Sequence, residues 1–153
     1  MNSVDIRRAT TEDAAFFVET RMEVLHAVFG EIADAEQKEL EREALAYFNA
    51  SENHVTYFAF VNGEFAACGS ICFYQVMPIC HNPTGWKGFI MNMYTRPNHR
   101  RQGLSYKILD SLVDEARHRG VNMIHLDSSD VGKSLYSKYG FITAESDMYL
   151  PKQ

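Results

Sequence analysis

The stretch that most restricts the fold is residues 55–76, VTYFAFVNGEFAACGSICFYQV. Two runs rich in β-branched and aromatic residues meet at Asn62-Gly63. This dipeptide accepts the positive φ angles of a two-residue hairpin turn, so an antiparallel strand pair is expected mid-chain. A second run, GFIMNMYT at 88–95, is nearly continuously apolar, as a central strand covered on both faces requires. Prolines and a glycine mark residues 77–87 between them as a loop.

Helical spacing accounts for most of the remainder. Residues 4–9 read as a short first strand. Thr10 or Thr11 then supplies an N-cap, with Glu12 and Asp13 acidic in the first turn. Phe17, Arg21, Leu25 and Val28 recur at helical spacing, Phe16, Val18 and Val24 widen the stripe, and Gly30 ends it. A second helix covers 34–48. Leu104, Ile108, Leu112 and Ala116 mark one face of a third, which Gly120 closes. VNMIHLD (121–127) reads as a strand, 131–138 as a helix stopping at Gly140, and FITAESDMYL (141–150) as the last strand. The order β-α-α-β-β-β-α-β-α-β over residues 1–153 predicts a single α/β domain. Its sheet should be mixed and mainly antiparallel, with helices on both faces.

Composition narrows the chemistry. The formal charge of −5 argues against sequence-independent nucleic-acid binding, which needs a broad basic face. No apolar run approaches the ~18–20 residues of a membrane span, and the N-terminus lacks a secretory apolar core. Cys68 and Cys72 sit four apart on one strand face, too distant to bridge, which fits a reducing cytoplasm. The histidines and cysteines form neither H-E-x-x-H nor C-x-x-C, so no metal is expected. Cys80-His81 lacks a third group to orient a thiol–base pair.

Within this acidic chain, TRPNHRRQGLSYK at 95–107 concentrates three arginines and a histidine ahead of Gly103, where a helix begins. The first turn of a helix leaves amides unpaired and carries roughly half a positive charge, so it attracts compact anions. Arg100 and Arg101 would add charge-assisted donors. A solvated turn is the competing reading. Neither a P-loop nor a G-x-G-x-x-G dinucleotide fingerprint is present.

NMYTRPNHRRQGLSYKILDSLVDEA closely resembles the acetyl-coenzyme A motif of the GNAT N-acetyltransferase superfamily: a strand, then Arg/Gln-x-x-Gly-x-Gly/Ala, then a helix. Arg100 and Gly103 match, and Ser105 stands where the family prefers Gly or Ala. SLYSKYGF resembles the family's Leu-Tyr-x-x-x-Gly-Phe segment through Tyr136, Gly140 and Phe141. HLDSSDVGKSLYSKYGF is similar to a bacterial branch of the family whose acceptors are open.

The resemblance implies acetyl-CoA or CoA as co-substrate. The strand before the phosphate turn should splay from its neighbour, with the pantetheine arm along Met93, Tyr94 and Thr95. The pyrophosphate would rest on the amides of Arg101, Gln102, Gly103, Leu104, Ser105 and Tyr106, with Arg100 opening the turn. An N–H near Met93 would hold the thioester oxyanion. Ser129 takes the place of a family asparagine that contacts the cofactor.

An amine would attack directly in a ternary complex. Tyr136 would reprotonate the leaving thiolate, uphill by roughly 2 kcal/mol for groups at ~10 and ~8.5. A lysine-like amine costs on the order of 4.6 kcal/mol to neutralise at pH 7. Asp127 is the candidate base, with His125 or a water relay as alternatives; Asp127 could equally cap the next helix. Tyr139 could stand in for Tyr136 but does not match the family tyrosine. Glu23 and His26 lie on the helix that borders the acceptor pocket in this family. The acceptor would be a small amine, amino acid, antibiotic or peptide. A non-catalytic acyl-CoA sensor is the rival, disfavoured by retention of Tyr136. No nucleic acid or membrane partner is implied, and a homodimer stays open.

Overall fold

A computed structural model describes residues 1–50 and 52–153. Asn62 and Gly63 take φ angles of 52° and 81° and join β2 (His54–Val61) to β3 (Glu64–Gln75) as an antiparallel hairpin. β1 (Val4–Arg8) pairs antiparallel with β2, and β4 (Trp86–Thr95) antiparallel with β3. β5 (Met123–Leu126) lies parallel to β4, giving a five-stranded sheet in the order β1-β2-β3-β4-β5. A parallel pair needs a crossover, and α3 (Leu104–His118) supplies it.

Pairing and pleat assign each strand residue to a face. Ile71 and Ile90 point toward α3, where Leu104, Ile108 and Leu112 are almost wholly buried. Each such side chain contributes roughly 1.5–3 kcal/mol relative to exposure. On the opposite face Phe58 and Cys68 meet Phe17 and Val24 of α1 (Ala14–Phe29) and Phe48 of α2 (Asp34–Ala50). α4 (Lys133–Tyr139) packs Leu135, Tyr136 and Tyr139 against the α3-side core.

Two ion pairs fix the α1 layer. Arg7 clasps Asp13 through two 2.8 Å hydrogen bonds, and the adjacent guanidinium holds the Asp13 carboxyl down at about 2. Asp13 also accepts the Thr10 amide at 2.7 Å, which starts the turn before α1. Glu23 grips Arg96 at 2.8 and 2.9 Å, tying α1 to the exit of β4.

The last expected strand is absent. Residues 141–150 carry no regular secondary structure, and Ile142, Met148, Tyr149 and Leu150 are 90, 98, 88 and 90% exposed. The neighbouring edge explains this: β5 is only four residues long and offers few ladder bonds. Glu145-Ser146-Asp147 also interrupts the apolar alternation with weak strand formers. The other boundaries move by a few residues: β4 begins at Trp86, β5 is shorter than VNMIHLD, and α2 continues to Ala50.

One irregularity positions everything that follows. Cys68 pairs with Tyr94 and Ser70 with Met91, so Gly69 alone opposes Asn92 and Met93. β4 therefore carries a bulge, with Asn92 at φ 58°. A Cβ on Gly69 would overlap the Met93 sulfur and stand 2.7 Å from Ile108 Cγ2, so only glycine admits the bulged strand here.

Candidate active site

Beyond the bulge β4 loses its partner on one side. The β4–β5 ladder ends at Ile90–Leu126, while β4 runs on to Thr95. β4 thus outruns β5, and no β5 residue pairs with the backbone at Met93, Tyr94 and Thr95. Both side-chain directions anchor this edge. Met93 packs on the α3-side core and Tyr94 on the α1-side core. Thr95 Oγ1 meets Ser105 Oγ at 2.7 Å.

The loop after β4 ends in free amides. Arg101 and Gly103 adopt φ 62° and 76°, and Gly103 forms the N-cap of α3. The first helical bond into this turn runs from the Lys107 amide to the Gly103 carbonyl, 3.2 Å. Among the described residues, the amides of Arg101, Gln102, Gly103, Leu104, Ser105 and Tyr106 have no acceptor. Six donors at the positive end of a four-turn helix make an anion cradle. Arg100 folds back, its Nε donating to the Thr95 carbonyl at 3.1 Å, so it braces the loop. Nothing crowds Gly103, so its backbone conformation is what demands glycine there.

The tyrosines of α4 separate cleanly. Tyr139 donates to Asp110 at 2.7 Å; burial and that carboxylate push its phenol up to about 12. It therefore pins α4 to α3. Tyr136 is half-buried beside Phe141, and its hydroxyl has no hydrogen-bond partner among the described residues. Burial alone raises its phenol above the ordinary tyrosine value. Such a group stays protonated through neutral pH and is available as a proton donor.

At the end of β5, Asp127 is exposed and makes no ion pair or hydrogen bond among the described residues. It does not cap α4, whose N-cap is Gly132 with no side-chain cap; Ser129 Oγ accepts the Gly132 amide at 3.2 Å in the turn before the helix. His125 receives its shift from burial and Lys87, both lowering its pKa, against Asp127, which raises it. Its Nε2 lies 2.5 Å from the Tyr74 hydroxyl. His26 and Glu23 take structural contacts. His26 Nε2 meets Gln37 Oε1 at 2.9 Å, and Glu23 holds Arg96; neither lines the cavity on this face.

That cavity, of about 290 Å³, opens between α1, α2 and the sheet. Phe17, Leu25, Leu40 and Met91 give it apolar walls. Arg21 and Asn92, which no short motif marks as site residues, meet here: Arg21 Nη1 donates to Asn92 Oδ1 at 2.9 Å. Asn92 Nδ2 reaches Ser70 Oγ at 3.5 Å, and Ser70 bonds Thr56 at 2.7 Å. A sequence signal existed for both. Arg21 is a cation inside an apolar helical stripe, and Gly69 within a strand marks a bulge opposite Asn92. Among the described residues, no cluster of three His, Cys, Asp or Glu could ligate a metal, and no helix is long and apolar enough to cross a membrane.

Residues 23–141 match the acetyltransferase (GNAT) family. A predicted acetyltransferase from Clostridium acetobutylicum, solved with acetyl-CoA, is 34% identical over 97% of this chain and 96% of that one, with a TM-score of 0.85. A GCN5-related N-acetyltransferase from Ralstonia eutropha shares the fold at 17% identity, with TM-score 0.82 and coverage of 98% and 99%. Glucosamine-6-phosphate N-acetyltransferase from Arabidopsis thaliana does so at 21%, with TM-score 0.72 and 99% of each chain covered. Among curated proteins no sequence matches the chain.

Proposed function

The chain belongs to the acetyltransferase (GNAT) family, and on that premise we propose that it transfers the acetyl group of acetyl-CoA to a primary amine. The observation that carries this reading is the continuity of two backbone features: β4 loses its partner after Ile90, and the chain then delivers six free amides at the start of α3. An extended amide-bearing arm ending in a pyrophosphate needs these two surfaces in that order. The residues fit such a group without a further cation from elsewhere.

Acetyl-CoA, when bound, supplies an activated thioester. The chain's own residues do the rest. The edge of Met93, Tyr94 and Thr95 pairs with the arm, the amides of residues 101–106 hold the pyrophosphate, and Arg100 keeps their loop in shape. Ser129 Oγ accepts the Gly132 amide at the entry to α4 and keeps its hydroxyl proton to donate to the cofactor. An N–H at the bulge near Met93 stabilises negative charge on the carbonyl oxygen. Asp127, solvent-facing and unpartnered, takes the proton that the amine sheds, directly or through water. The new N–C bond forms as the C–S bond breaks, and Tyr136 gives its proton to the sulfur. Its raised pKa keeps it protonated but makes that transfer more uphill than the roughly 2 kcal/mol of an unperturbed pair. Oxyanion stabilisation must offset the difference.

The test has two parts. Acetyl-CoA at ~100 times its dissociation constant should stabilise the fold by about 2.7 kcal/mol, read as a thermal shift of roughly 5–10 °C. Thiol release should then depend on adding an amine. A shift without release for any amine indicates a sensor, and no shift at saturation removes the co-substrate assignment.

A further inference from the structure

Among the described residues, five of the chain's nine arginines have a carboxylate partner: Arg7 with Asp13, Arg8 and Arg119 with Glu115, Arg42 with Glu39 and Glu43, Arg96 with Glu23; Arg100, Arg101 and Arg117 are unpaired but none of them lines the cavity. Arg21 is different. It is half-buried in the wall of the α1–α2 cavity, and among the described residues no carboxylate pairs with it. A guanidinium carries five donors, and here one bond, to Asn92, is made within the chain. Burial lowers its pKa, with only Cys68 and Tyr47 acting against that. A half-buried cation with unused donors in an otherwise apolar cavity lacks its counter-charge.

Resting on the acetyltransferase reading, we propose that Arg21 binds the carboxylate of the acceptor, and that the acceptor is an amino acid with a free carboxylate and an apolar side chain. The geometry supports each part. The planar fork of a guanidinium matches a carboxylate bidentately. Asn92 holds that fork and immediately precedes Met93 on the bulge, so Arg21 is tethered one residue along β4 from the proposed donor edge. An amine and a carboxylate on one small molecule would span that interval. Phe17, Leu25, Leu40 and Met91 then offer apolar surface to the side chain, and about 290 Å³ suits a single residue better than a folded peptide. One cation balances a monoanion. The other charged wall residue, Glu43, is already paired with Arg42 at 3.0 Å, so no second cation is left to balance a phosphate dianion.

The experiment compares leucine, methionine and phenylalanine with their amides, their decarboxylated amines and phosphoethanolamine. Thiol release gives kcat and KM, and calorimetric titration of the amino acids gives binding without turnover. The free amino acids should exceed their amides by about 10- to 100-fold in kcat/KM, mostly through KM. Arg21→Met should erase that preference and the calorimetric signal, leave acetyl-CoA affinity unchanged and retain the wild-type fold by circular dichroism. Arg21→Lys should restore part of it. Equal rates with amides or decarboxylated amines overturn the proposal, as does a preference for phosphoethanolamine or discrimination that survives Arg21→Met. Loss of acetyl-CoA binding in the wild type would instead sink the donor assignment, and amino-acid titration still judges Arg21 in that case.

Discussion

The two sides of β4 are built from different materials. Toward α3, the proposed donor site is backbone: an unpaired strand edge, six free amides and a glycine cap. Toward α1 and α2, the proposed acceptor cavity is side chain: Arg21, Asn92, Ser70 and an apolar rim contributed by three separate elements. The bulge at Asn92–Met93 joins them. A backbone site tolerates almost any side chain that preserves the conformation. A side-chain site changes with every substitution.

Four measurements would break or sharpen that contrast. The largest effect is expected from Tyr136→Phe, the one donor-side side chain assigned a proton transfer. Turnover should fall by 100-fold or more while acetyl-CoA affinity is unchanged. Equal losses in both would make Tyr136 a packing residue. In the wild type, the raised phenol pKa means the acid form persists beyond the ordinary value of ~10, so the rate should show no descending limb below that pH.

Gly69→Ala strikes the joint itself. Forcing a methyl against Met93 and Ile108 should cost about 1–3 kcal/mol, read as a fall of roughly 2–4 °C in Tm for each kcal/mol. If thermal stability were untouched, the two sides would not share this bulge as a common support.

A smaller loss is expected on the donor loop. Gly103→Val forces a β-branched residue to φ 76°, at a cost of roughly 1–2 kcal/mol, and should weaken acetyl-CoA about tenfold. Removing only a side chain there, by Arg101→Ala, should matter less. The reverse ranking in calorimetry would contradict a backbone-built site.

The smallest effect concerns the α1 anchor. Asp13 is held at about 2 in the folded chain against ~3.9 unfolded, so its stabilisation is present above pH ~4 and is lost as pH falls toward 2. Asp13→Asn should lower the urea midpoint at neutral pH and flatten its decline between pH 4 and 2. An unchanged acid profile would mean that the clasp with Arg7 adds nothing to holding the acceptor wall.

The same contrast explains what could be read in advance. Asn62-Gly63 and the α3 stripe are local, and dihedral and periodicity rules suffice for them; the RRQGLS turn stays divided between an anion seat and a solvated turn until its resemblance to the acetyl-coenzyme A motif is added. Tyr136 was reached through a second short motif, and its separation from Tyr139 needed the Asp110 contact to become visible. Arg21 meets Asn92 across 71 positions, and no short window of sequence contains both. The cation within an apolar stripe was visible, but the partner that gives it meaning was not. Residues 141–150 went astray for the converse reason. Their two apolar ends suit a strand, yet Glu145-Ser146-Asp147 breaks the pattern between them and β5 provides only four residues of edge.

The clasp of Glu23 on Arg96 carries one more consequence. It is the strut between the acceptor-wall helix and the first residue of the loop that leads to the free amides. Stiffening that loop at its far end therefore stiffens α1 as well. Cutting the clasp, by Glu23→Gln, should loosen α1 and the turn before α3 together rather than either one alone.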